Sequence, residues 1–161
     1  MSEKLFAPGS GSAEALLSWW AELQKNNGAR AELRRCKENA QVLLVPEFHR
    51  LCHRIRPFMA NPPGWELQLS AVAGLLAHVK ERSNQKLAEQ MAEGDPPRVS
   101  QLRFRRLLQR ERSELYPPMI RLIHMLDNRV DPLDLAAVVF FWGEKTRQQL
   151  AFSYFPKVTN K

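Results

Sequence analysis

Between Arg98 and Arg112 the chain reads RVSQLRFRRLLQRER, six arginines against one acid, Glu111. A soluble domain does not need that charge to fold. Like charges this dense repel one another, so a partner that neutralises them is implied, and a polyphosphate fits best. The guanidinium is a planar fork that grips phosphate with two hydrogen bonds and stacks on bases. Two smaller basic clusters precede this one. The first holds Arg30, Arg34, Arg35 and Lys37; the second holds Arg50, Arg54 and Arg56 beside His49 and His53.

Chemistry of other kinds finds little support. No nucleophile signature, no glycine-rich phosphate loop and no paired acid and base stand at useful spacing, so no catalysis is expected. His49 and His53 are four residues apart and could share a helix side, but no third ligand lies near, so no metal and no cofactor are expected. His78 and His124 fall in apolar helical segments and read as structural. Cys36 and Cys52 form no CxxC pair, which leaves neither a zinc site nor a disulfide framework in view.

The 161 residues carry 24 Lys and Arg against 17 Asp and Glu, a net charge of +7. Arg outnumbers Lys about two to one, whereas a merely solubilising surface leans on Lys. Hydrophobic residues make 44% and charged residues 25%, the composition of a globular chain rather than a disordered one. No apolar run approaches the roughly 20 residues that span a bilayer. The first residues, MSEKLFAPGSGSAEALL, carry an acid and lack a signal-peptide core. A reduced, cytoplasmic location is therefore the expectation.

The elements that must position the arginines are helices. Leu16, Trp19, Trp20 and Leu23 repeat on one helical face, and Asn26 to Gly28 can stop that helix. A short helix is expected over Ala29 to Glu38. Pro46 opens another, with Phe48, Leu51, Cys52 and Ile55 as its stripe and Pro57 as its close. Asn61 to Gly64, NPPG, is a turn. Leu69, Val72, Ala73 and Leu76 mark the next buried face. Residues 81–97 read as a polar connection with a short helix near Leu87 to Met91. Met119 to Leu126 is helical in period. Asp131 is an N-cap, Pro132 suits the first helical position, and Asp134 favours the same helix start. Leu135, Val138, Val139 and Trp142 make the buried face there. A last helix runs to Phe155 and stops before Pro156. Trp19 and Trp20 point about 100° apart, and one or both read first as core rather than as stacking platforms.

The sum is an all-α protein of about eight helices in two small helical-bundle lobes, 13–92 and 98–161, behind a flexible tail over 1–12. Within the second lobe the Arg-rich segment is expected to form one continuous helix. Phe104, Leu107, Leu108 and Leu115 would face the core. Arg103, Arg106 and Arg110 would form one shoulder, and Arg98, Arg105 and Arg112 the other. Pro117 and Pro118 should end or kink it.

These motifs together resemble a known family. The run FFWGEKTRQQLAFSYFPKVTNK is similar to the end of the small subunit of the type I-E CRISPR surveillance complex, Cascade, which is the CasB family. The resemblance rests on Phe141, Trp142, Gly143, Lys145, Arg147, Gln148, Gln149 and Leu150. LLSWWAEL, ELRR (Glu32 to Arg35) and VPEFHRL (Val45 to Leu51) extend it towards the N-terminus. Arg103, Arg112 and Arg121 fall where the family places arginines, and Glu144 departs from a position that is often basic. The resemblance implies two helical lobes and no catalysis. It implies two copies head to tail, contacting the repeated backbone subunit and the large subunit, with guide RNA and target DNA, including the displaced single strand, as ligands. The candidate strand-contacting set is Arg34, Arg35, Arg103, Arg106, Arg110, Arg112, Arg121, Lys145 and Arg147. Two other readings compete: a stand-alone helical DNA-binding regulator that reads base edges, and a pure assembly subunit whose arginines meet acidic protein surfaces.

Overall fold

Ser10 starts the first helix by accepting a hydrogen bond from the Ala13 amide at 3.1 Å, which caps α1 (Gly11–Gln24). The computed structural model describes residues 4–59 and 64–159. The NPPG turn lies outside these residues except for Gly64, whose φ of 102° is a left-handed entry into α5 that suits glycine. The chain continues as α2 (Asn27–Arg34), α3 (Asn39–Val42), α4 (Pro46–Ile55), α5 (Trp65–Leu76) and α6 (Leu87–Ala92). Then come α7 (Gln101–Leu108), α8 (Tyr116–Met125), α9 (Pro132–Phe140) and α10 (Glu144–Thr159). Single 3-10 turns occupy Arg56–Phe58 and Arg112–Glu114. The remaining regular structure described is one parallel pair, β1 (Glu81–Arg82) on β2 (Arg129–Val130), with Glu81 opposite Arg129. The all-α reading holds. No helix described is long and apolar enough to cross a membrane.

Several boundaries differ from the sequence expectation. Asn26 does not merely stop α1; its side chain accepts from the Ala29 amide and starts α2. The Arg-rich segment is not one helix. α7 ends at Leu108, a 3-10 turn follows, and Pro117 and Pro118 open α8. Proline at the first helical positions removes amides that have no intrahelical partner anyway. Pro156 does not stop α10, which runs on to Thr159. It sits in the last turn, where the amide it lacks leaves the Phe152 carbonyl without its helical donor.

The expected tail over 1–12 is partly built into the core. Phe6 is buried, edge-on to Phe140 with centroids 5.9 Å apart, and its amide donates to Ser12 Oγ at 2.9 Å. Burying a phenylalanine is worth about 1.5–3 kcal/mol, enough to hold a short segment down. α6 lies on α10, α5 packs on α9, and the buried side chains form one continuous cluster. Asp134 does not serve its own helix alone. Its carboxylate accepts from the Leu87 amide at 2.7 Å and so holds the start of α6. Burial pushes that carboxyl above the ordinary carboxylate value, against the Leu87 hydrogen bond and Lys86.

α5 is the centre of this arrangement. Leu69, Val72, Ala73, Leu75 and Leu76 are inaccessible to solvent. The carbonyls just past its end are claimed by side chains from elsewhere. Ala77 O accepts from Arg30 Nε at 3.2 Å, His78 O from Asn128 Nδ2 at 2.9 Å, and Val79 O from Trp20 Nε1 and Gln24 Nε2, both at 3.2 Å. Trp19 Nε1 donates to Glu47 at 2.9 Å. Both tryptophans of the pair are thus structural.

Two predictions follow from α5. Tyr116 presses its buried hydroxyl against Gly74, where an added Cβ would overlap it, and that hydroxyl has no hydrogen-bond partner among the described residues. Gly74→Ala should lower the melting temperature despite its better helix propensity, because overpacking costs about 1–3 kcal/mol. Tyr116→Phe should be neutral or stabilising and should partly rescue Gly74→Ala. Thermal melts of the four chains check this; a Gly74→Ala chain as stable as the parent refutes the contact.

The second concerns His78. Burial, aided by His124, Arg34 and Arg30, pushes its imidazole from 6.5 down to about 4. The His124 ring lies 5.4 Å away. The folded chain keeps His78 neutral while the unfolded chain protonates below about pH 6.5. Stability should therefore be unaffected above that pH, fall between about 6.5 and 4, and level off below. Urea titrations at pH 7.5 and 4.5 should show the parent losing about 2–3 kcal/mol more than His78→Gln. Equal losses would refute it.

Candidate nucleic-acid interface

Ser100 opens α7 by accepting from the Arg103 amide at 3.2 Å. Phe104 and Leu107 bury the inner face, and Phe104 stacks on Tyr154 with centroids 3.8 Å apart. Tyr154 in turn donates to Val99 O at 2.6 Å. This anchoring turns Arg103, Arg105 and Arg106 outwards, all exposed. Arg103 touches Met125 Sδ through Nη1 at 3.3 Å. Arg121 is exposed one turn before Met125 on α8, so Arg103 and Arg121 lie along neighbouring faces of the two helices. Arg98 is spent differently, donating to Asp127 at 2.6 Å and to Met125 O at 3.0 Å.

Arg110, Arg112 and Arg147 belong to another arrangement. Trp142 Nε1 and Arg147 Nη2 both donate to Arg110 O at 2.9 Å. The Arg147 guanidinium stands over the Trp142 ring, 5.5 Å from its centroid, and 3.9 Å from Glu111. Arg112 donates to Val139 O at 3.2 Å and to Trp142 O at 2.7 Å. It therefore caps the C-terminal end of α9, where cations are favoured. Burial lowers its pKa from the usual arginine value, yet the guanidinium stays charged. The expected shoulder of Arg98, Arg105 and Arg112 does not exist, because the helix stops before Arg112. Nor does Arg110 continue a stripe with Arg103 and Arg106; it lies half-buried past the helix end.

The rest of the candidate set divides by position. Lys145 is exposed in the first turn of α10, next to the Trp142 knot. Arg34 and Arg35 are exposed at the end of α2, which packs on α1 and α5, far along the chain from α7. Arg30, in the same cluster, is turned inwards to Ala77 O. The cluster at Arg50, Arg54 and Arg56 is largely neutralised. Arg50 and Arg54 share Glu22, whose carboxyl the Arg54 hydrogen bonds hold below the ordinary carboxylate value. Arg56 lies over the Trp65 ring at 5.7 Å. His49 Nε2 is 2.8 Å from Leu43 O, and no group of three or more His, Cys, Asp or Glu among the described residues could hold a metal.

Six of the nine candidates, Arg34, Arg35, Arg103, Arg106, Arg121 and Lys145, thus present exposed cations, and none of the six has an ion pair among the described residues. Arg105 and Lys37 share that condition and were outside the candidate set. Their signal was their place in the basic runs, which helical phase alone did not promote.

The family described as CRISPR-associated protein Cse2 matches residues 29–155. The chain belongs to this family. The Cse2-family chain is 29% identical over 166 residues to the CRISPR system Cascade subunit CasB of Escherichia coli strain K12, covering 92% of this chain and 95% of that protein. Its fold is similar to that of a chain in the crystal structure of E. coli Cascade bound to a PAM-containing double-stranded DNA target. The TM-score is 0.70 at 22% identity, over 91% of this chain and 97% of that one.

The division of the arginines is open to test in this Cse2-family chain. Arg112→Ala leaves the Val139 and Trp142 carbonyls without their donor and should cost about 1–3 kcal/mol of stability. Arg106→Ala should change stability by less than about 0.5 kcal/mol. Urea denaturation of the two variants decides; equal stabilities would remove Arg112 from its capping role.

Proposed function

We propose that this Cse2-family chain is the non-catalytic small subunit of a type I-E Cascade complex in antiviral defence. In this reading it acts in the cytoplasm and assembles with the repeated backbone subunit, the large subunit, a second copy of itself and the guide RNA. It grips target DNA and the displaced strand of the R-loop through their sugar-phosphate backbone. The observation that carries the reading is family membership over most of the chain, together with the exposed, unpaired arginines of α7.

The physical logic is simple. Guide pairing reads the sequence, so the protein need only recognise backbone, and exchange of one duplex for another is nearly balanced in energy. A few charge contacts then decide whether the opened state persists. Arg103 and Arg106 with Arg121 offer such contacts on α7 and α8. Arg34, Arg35 and Lys145 extend the set. Arg110, Arg112 and Arg147 act instead by fixing the segment that follows α7, with any strand contact secondary to that.

Fluorescence anisotropy with labelled single-stranded DNA tests this. The isolated chain should bind weakly and without sequence preference. With about four phosphate contacts, affinity should fall roughly 50-fold between 50 and 200 mM salt. Combined Arg103→Glu, Arg106→Glu and Arg121→Glu changes should weaken binding at least tenfold and flatten the salt slope. No binding at low salt, or binding indifferent to these changes, overturns the surface. A strong preference for one duplex sequence would favour the regulator reading instead.

A further inference from the structure

A cleft of about 590 Å³ opens between the start of α3, one face of α5 and the segment 111–116. Its position is fixed by hydrogen bonds beneath it: Asn39 Nδ2 donates to Leu67 O at 3.3 Å and to Ser70 Oγ at 3.2 Å, tying α3 to α5. The walls are apolar, formed by Leu67, Ala71, Leu75 and Leu115. Leu67 is 48% exposed, a large apolar side chain left facing solvent.

The charge of the cleft is opposite to that of the chain. Glu38 and Glu111 are the exposed charged residues at its edge, while the net charge of the protein is +7. The one cation in the lining, Arg112, already donates to the Val139 and Trp142 carbonyls. A phosphate backbone would meet the carboxylates of Glu38 and Glu111, the latter also 3.9 Å from Arg147, and a guanidinium that is already engaged, so nucleic acid is disfavoured here. The fit is to a protein: an apolar side chain enters between the walls, and cations beside it meet the two carboxylates.

We propose that this cleft docks an apolar side chain flanked by lysine or arginine on another subunit of the complex. The proposal rests on the Cascade reading, because the partner is a subunit of that complex. It separates the surfaces of the chain by charge: exposed arginines for backbone phosphate, this acidic-edged cleft for protein.

The test is recovery of the full chain on co-expressed Cascade subunits carrying the affinity tag elsewhere. Glu38→Lys and Leu67→Asp should each lower recovery at least fivefold. Neither should weaken single-stranded DNA binding by the isolated chain. Glu93→Lys, an exposed acid outside the cleft, should be recovered like the parent. A second measurement leaves the cleft charge intact. Cys36 and Cys52 are buried, and burial raises both thiols, that of Cys52 to about 11. A thiol-to-amine crosslinker should therefore react at Ser113→Cys and capture a lysine on another subunit. Parent-level recovery of both cleft variants overturns the proposal, as does a crosslink confined to a second copy of the chain. A parent chain that is not recovered at all defeats the Cascade reading and takes this inference with it.

Discussion

The carbonyls at the end of α5 set the terms for the rest of the structure. A helix end buried in a core must find donors, because an unpaired carbonyl there costs as much as a lost hydrogen bond. Here the donors are side chains of Arg30, Asn128, Trp20 and Gln24. They come from α1, α2 and the turn before β2, so satisfying one helix end fixes the positions of three other elements. The apolar face of α5 then receives α9, and the strand pair β1 and β2 closes the remaining gap. His78 sits within this junction and stays neutral chiefly because burial disfavours its charged form, with Arg34 and Arg30 adding to the effect.

The same constraint sorts the arginines. A guanidinium can leave water only where acceptors await it. Carbonyls at the ends of α5 and α9 supply them for Arg30 and Arg112, and the Arg110 carbonyl does so for Arg147. Those arginines hold the fold. Carboxylates take a second group: Glu22 takes Arg50 and Arg54, and Asp127 takes Arg98. What remains exposed and unpaired on α7 and α8 is the part of the charge that folding does not use. A basic run in a sequence is therefore not one functional unit. Arg103 and Arg112 are nine residues apart, yet one is exposed and the other is a helix cap.

Much of the architecture was legible in the sequence, for definite reasons. The stripes Phe48, Leu51, Cys52, Ile55 and Leu69, Val72, Ala73, Leu76 are buried as their spacing implies, and Asp131 caps α9 by accepting from the Leu133 amide. Periodicity and caps are local signals. The errors arose where the deciding partner was distant. Nothing near Asp134 announces that it serves α6, and nothing near Phe6 announces Phe140. Pro117 and Pro118 were ambiguous because a proline that ends one helix can equally begin the next. The candidate site was legible as a list of charges. Which of them the fold consumes depended on carbonyls some thirty residues away, as for Arg112 and Trp142, and no spacing rule carries that.

The meeting of Phe6 with Phe140 has a bearing on how the chain comes to be folded. These two rings are separated by nearly the whole length of the polypeptide, and α5 likewise waits for α9. As the chain leaves the ribosome from its N-terminus, the apolar faces of α1 and α5 emerge long before their covers are synthesised. Contacts at such separation are slow to close. The nascent N-terminal half must pass through a period with open apolar surface, when association with other proteins competes with completion of its own core.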